Sequence, residues 1–123
     1  MRKVQTLVMK DLRGRIDTAV EGLDRWKLTL TKNPADAFEW ANEAFDNAAV
    51  IQVSRQLLEP LQKHDTYDME FLRDYALKQT LAGAKWPSKS TSTSANLIHL
   101  AMTEAWAEAH EYLTGVLKAL GDE

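Results

Sequence analysis

The stretch DAFEWANEAFDNAAVIQVSRQLL, residues 36–58, decides how the rest of the chain folds. Asn33 suits an N-cap and Pro34 the first helical position, where a missing N–H costs nothing, while Asp36 sets a negative charge at the positive end of the helix dipole. A helix therefore starts here. At ~100° per residue, Phe38, Ala41, Ala44, Phe45, Ala48 and Ala49 fall on one flank, with Trp40 and Ile51 at its edge, and this is the apolar stripe of an amphipathic helix. The alanines admit a neighbouring helix closely and the aromatic rings fill the space beside them. Burying one large side chain is worth roughly 1.5–3 kcal/mol, so Phe45→Ala is expected to cost more than any surface change nearby. The opposite flank holds Asp36, Glu39, Glu43 and Asp46, with no Lys or Arg between them. Like charges three and four residues apart repel by roughly 0.2–0.5 kcal/mol per pair.

Outward from this segment the same helical period recurs. Before it, residues 2–31 form a long amphipathic helix in which Val4, Val8, Leu12, Ile16, Ala19, Leu23, Trp26 and Leu30 repeat every three or four positions. Gly14 and Gly22 are weak points in it, each costing about 1 kcal/mol relative to alanine, and mark a kink or a close helix contact. After it, Pro60 lacks a backbone N–H and restricts Glu59, which predicts a break at that point, packed by Leu57, Leu58 and Leu61. A third helix starts near Asp65 or Asp68, buries Met69, Leu72, Tyr75, Ala76 and Ala82, and fades at Gly83. The short link before it predicts that it lies antiparallel to its predecessor. Residues 85–94, KWPSKSTSTS, read as a flexible linker whose Ser92, Thr93 or Ser94 caps the last helix, residues 95–120. That helix buries Ile98, Met102, Ala105, Trp106, Ala109, Leu113, Val116 and Leu120, and carries a second acidic row, Glu104, Glu108 and Glu111, with Leu100 projecting from the acidic side. The fold class is all-α, a single-domain bundle of about four helices over residues 1–123.

Composition narrows the function. The chain has no cysteine, which rules out disulfides and thiolate zinc sites. It has no run of 18 apolar residues and no signal-peptide pattern, which points to a soluble, cytoplasmic protein with no membrane partner. The net charge of −3 is unevenly spread: residues 1–32 carry eight Lys and Arg against four Asp and Glu, and the remainder carries seven against fourteen, so +4 stands against −7. A basic first helix and an acidic remainder face different surroundings or neutralise each other. The cations Arg2, Lys3, Lys10, Arg13, Arg15, Arg25 and Lys27 are scattered around the outward arc of helix 1, as a solvated face or as contacts to nucleic-acid phosphates.

Signatures of chemistry are sparse. His99 and His110 stand 11 residues and about 16 Å apart along one helix, too far to share a metal. Glu39, Glu43 and Asp46, with Glu70 and Asp74 on the next helix, form the one carboxylate set able to converge on Mg²⁺, as in all-helical nucleotide pyrophosphatases. Those enzymes pair ExxE with ExxD; here Glu43 and Asp46 supply one ExxD, while Glu39–Glu43 and Glu70–Asp74 are each one residue too long. No cofactor and no metal site is expected. The two acidic rows also suit a surface that meets a basic partner, since carboxylates ~5–6 Å apart approach the spacing of successive phosphates on a nucleic-acid strand.

The run EWANEAFDNAAVIQVSRQL, residues 39–57, resembles a stretch in one family of small helical anti-CRISPR inhibitors of the type I-F surveillance complex, at Glu39, Trp40, Ala44, Ala48, Val50, Arg55 and Gln56. In the last helix TSANLIHLAMT, residues 93–103, adds Thr93, Ala95, Leu100, Ala101 and Thr103. Toward the C-terminus the chain departs from the family, its glutamate row being more acidic. The resemblance implies a phage or mobile-element protein that binds a CRISPR effector and blocks it without catalysis. Arg55 and Gln56 are the matched polar pair that packing does not explain, and Arg55 is also spaced for an ion pair with Glu59. The expected partner-binding residues are Asp36, Glu39, Glu43, Asp46, Arg55, Leu100, Glu104, Glu108 and Glu111. Two other readings stand beside this one: a helical subunit of a CRISPR or other nucleoprotein complex with helix 1 near phosphates, and a Mg²⁺-dependent nucleotide pyrophosphatase.

Overall fold

A helical repeat of apolar residues in the first third of the chain produces α1, Arg2–Lys32, in a computed structural model that describes residues 2–84 and 93–121. Val8, Leu12 and Ala19 are buried along it and Val4, Ile16, Leu23 and Trp26 half-buried, as the spacing predicts. Four further helices follow: α2 (Pro34–Glu39), α3 (Ala41–Lys63), α4 (Met69–Ala84) and α5 (Thr93–Gly121). The fold is all-α, with five helices where about four are expected, and no strand among the described residues.

The extra helix arises because the expected central helix is broken at Trp40. Pro34 does begin α2, and Asn33 precedes it, but Asn33 uses its amide to donate to Asp36 Oδ2 (3.0 Å) instead of capping the backbone. Ala37 is fully buried against α1, where Trp26 Nε1 donates to its carbonyl at 2.8 Å. That anchor holds α2 across the end of α1. The Trp40 N–H then closes the last turn on Asp36 O, its own carbonyl accepts from Glu43 N, and the chain restarts as α3. The phase of the apolar stripe restarts with it. Phe38 (73% exposed), Trp40 (58%) and Ala48 stand in solvent, Ala41, Ala44 and Phe45 are half-buried, with Phe45 packed against the core, and Ala49 and, at its edge, Ile51 are buried, so the predicted stripe holds in part. The core ladder of α3 is Ala49, Val53, Leu57 and Leu61, four residues apart.

Pro60 does not break α3, contrary to expectation; the helix runs on through Lys63. An interior proline costs about 3 kcal/mol. Leu57, Leu58 and Leu61 are all buried around it, each worth roughly 1.5–3 kcal/mol, and together they outweigh that cost. Gln5, buried on α1, completes the end of the helix: its Nε2 donates to Leu61 O (3.0 Å) and His64 O (2.7 Å), and its Oε1 accepts from Tyr67 N (2.7 Å).

α1 and α3 run antiparallel, Gln5 meeting Leu61 at one end and Gly22 meeting Asn47 nearer the other. α3 lies between α1 and α5, and α4 covers another side of α5. The close neighbour of α4 is thus α5, not α3 as the short link suggests. Asp68 caps α4 by accepting from Glu70 N and Phe71 N, and Met69, Leu72 and Ala76 are buried as expected, whereas Tyr75 and Ala82 are exposed. In α5, Ala101, Ala105, Trp106, Ala109 and Leu113 are buried, but Ile98 is exposed near the start of the helix. Of the expected linker, residues 85–94, residues 85–92 lie outside the described residues, while Thr93 and Ser94 already belong to α5, which starts two residues earlier than expected.

Candidate functional site

The break at Trp40 divides the first acidic row. Asp36 and Glu39 belong to α2, and Glu43 and Asp46 to α3, all four exposed. On α3, Glu43, Asp46 and Val50 continue at spacings of three and four into Val53 and Leu57, so these acids lie on the core-facing meridian of the helix and not opposite it. They remain in solvent because the packing of α5 on α3 begins further along. The result is a cleft of about 630 Å³ between the second half of α1 and the first half of α3, with Glu43, Asp46, Arg25, Trp26 and Trp40 among its walls. Gly22 lies at its base, where a Cβ would come within 2.4 Å of the Asn47 amide; the missing side chain lets the helices close.

Among the described residues two ion pairs form, Lys63 with Glu59 (2.8 Å) and Arg73 with Asp74 (3.1 Å). Neither involves Glu39, Glu43, Asp46, Glu104, Glu108 or Glu111, and neither involves a cation of α1. Arg25 shares the cleft with Glu43 and Asp46 without reaching ion-pair distance. The expected pairing of Arg55 with Glu59 does not form. Glu59 is held by Lys63, whose hydrogen bond and charge draw its carboxyl below the usual range. Arg55 is exposed on another flank of α3, beside Gln52, Gln56 and Glu59 and away from Glu43 and Asp46. Glu104, Glu108, Glu111 and Leu100 all stand exposed on α5. Glu108 and Glu111 border an apolar groove of about 700 Å³ between α1 and α5.

The carboxylates proposed for Mg²⁺ do not converge. Glu70 and Asp74 are carried on α4, and among the described residues no three His, Asp or Glu side chains come together as a metal site. His99 Nε2 lies 2.9 Å from Gly83 O, a contact that joins α5 to α4.

No family model, no curated protein and no solved structure matches the chain. Among the described residues no helix is long and apolar enough to cross a membrane.

Sequence reasoning passed over one cluster. Tyr112 of α5 donates its hydroxyl to Asp11 of α1, and the Arg15 guanidinium lies over its ring, 4.6 Å from the centroid. Burial, followed by the hydrogen bond and charge of Asp11, pushes the Tyr112 hydroxyl upward, against the opposing pull of Arg15. Arg15, expected on the outward arc, is in fact half-buried. The only trace in the sequence is the spacing of Asp11 and Arg15, four residues apart, which by itself reads as an ordinary helical ion pair.

Proposed function

We propose that the chain is a non-enzymatic inhibitor that occupies a basic surface on a bacterial defence complex, a type I-F CRISPR effector being the partner that the resemblance of residues 39–57 and 93–103 suggests. The observation that supports this reading is the isolation of its acids. Glu39, Glu43, Asp46, Glu104, Glu108 and Glu111 are exposed and, among the described residues, unpaired, although the chain carries enough Lys and Arg to neutralise them. Unrelieved like charge weakens a fold slightly and speeds encounter with a cationic surface, so such acids contribute steering and specificity more than raw affinity. Leu100 and Arg55 supply an apolar and a hydrogen-bonding contact in this reading. The test is capture of a purified type I-F surveillance complex by the wild-type chain and by a Glu39→Lys, Glu43→Lys, Asp46→Lys variant. Capture by the former and not the latter supports the proposal; equal capture by both removes it.

A second reading, a helical subunit of a nucleoprotein assembly, rests on α1. Arg2, Lys3, Lys10, Arg13, Arg25 and Lys27 are exposed and make no ion pair among the described residues. Salt-sensitive binding of the isolated chain to RNA or DNA favours this reading over inhibition, since each phosphate contact adds to the salt slope.

A further inference from the structure

We infer that the groove between α1 and α5 is the contact surface of a symmetric dimer and that a second copy of this chain fills it. Val4 and Leu7 form one wall; Val116, Ala119 and Leu120 form the other. Leu7 is 52% exposed, and nothing lies within 4 Å of the point where a side chain on Gly115 would begin. The bond between Asp11 and Tyr112 sets the level of the two helices. They run antiparallel from there, so Leu7 stands at about the level of Val116, Arg15 at about that of Glu108, and Lys10 within ~3 Å of rise of Glu111.

The two rims differ in sign. At these levels α1 presents Lys10 and Arg15, its Asp11 being turned onto Tyr112, and α5 presents Glu108 and Glu111, with Lys118 two turns further on; no ion pair joins these residues. A two-fold axis along the groove lays α1 of one copy over α5 of the other at the same level. Lys10 then meets Glu111 twice, and Leu7 meets Val116 twice. Each wall thus offers the other an apolar surface and, at the level of Lys10 and Glu111, an opposite charge, so the molecule already contains both halves of the contact. Part of the charge split between α1 and the rest of the chain, across which no ion pair forms among the described residues, is relieved between monomers. The contact takes up Glu108 and Glu111, two of the acids counted above for a defence-complex surface, and leaves Glu39, Glu43, Asp46 and Glu104 outside; it is read by mass and not by capture, so the two readings fail separately.

Sedimentation equilibrium of the full chain tests it. The expected mass is twice that of one chain, and Leu7→Glu, at a side chain with half its surface in solvent, is expected to return the single-chain mass with unchanged far-ultraviolet circular dichroism. Lys10→Glu and Glu111→Lys are each expected to weaken the dimer by roughly tenfold, and the double variant to restore it, as paired charges do in a double-mutant cycle. A wild-type chain of single mass, a dimer indifferent to Leu7→Glu, or a double variant no stronger than the singles would overturn the assignment. So would a monomer that instead takes a basic amphipathic peptide into the groove.

Discussion

Gln5 satisfies three backbone groups with one side chain, the carbonyls of Leu61 and His64 and the amide of Tyr67. Replacement by methionine keeps the volume but leaves those groups without partners, and an unsatisfied buried group costs ~1–3 kcal/mol. Gln5→Met is therefore expected to lower the urea-unfolding free energy by about 2–4 kcal/mol with an unchanged m-value. Tyr112 makes a pH-dependent contribution. The folded chain holds its proton more tightly than the unfolded chain, where a tyrosine titrates near 10.0. The stability this contributes is complete below pH 10 and is lost as pH climbs from there toward the raised folded value. Thermal melts above pH 10 should fall less steeply for Tyr112→Phe than for the wild-type chain; equal slopes would remove Tyr112 from the account. Neither residue can be picked out by period: Gln5 sits on the apolar stripe of α1 but reads as a polar interruption, and the partner of Tyr112 is 101 positions away.

At the level of elements, two helical glycines, one in the middle of α1 and one at the end of α4, do opposite things. A Cβ on Gly14 meets nothing within 4 Å, whereas one on Gly83 would stand 2.2 Å from Thr103 Oγ1. Thr103 is β-branched and its hydroxyl is tied to His99 O, so it has no easy rotamer to retreat to. Gly14→Ala is expected to stabilise the chain by about 0.5–1 kcal/mol through helix propensity. Gly83→Ala should destabilise it by roughly 1–3 kcal/mol through overpacking at the contact between α4 and α5. Denaturant titration of both variants measures the contrast. The helices themselves were legible: α1, α4 and α5 match their expected spans closely because each carries a periodic stripe along most of its length, although Leu30, Ala82 and Ile98 near the ends are exposed. The central segment misled because its two strongest local signals, an unbroken stripe and a proline, are both overridden by tertiary contacts. Ala37 docks on Trp26 and turns the chain at Trp40, while Gln5 and three leucines hold the helix through Pro60.

For the whole molecule, burial follows the order in which helices stack, with α3 inside and the ends of α1, α2 and α5 outside. That order explains why acids on the core-facing side of α3 are left in solvent, a placement that no spacing rule on one helix discloses. The identity of the acidic residues was readable from sequence, and their exposure agrees with it; their division between two helices and the cleft they share with Arg25, Trp26 and Trp40 were not. The central claim is that these carboxylates are held apart from the chain's own cations so that a cationic partner can take them. Its most direct test is the affinity of the wild-type chain for the purified type I-F surveillance complex, measured by calorimetry across a series of salt concentrations. Binding is expected to weaken steadily as salt rises and to fall at least roughly tenfold when Glu43 and Asp46 are reversed to lysine. Binding of unchanged strength in high salt, or in that variant, would contradict it.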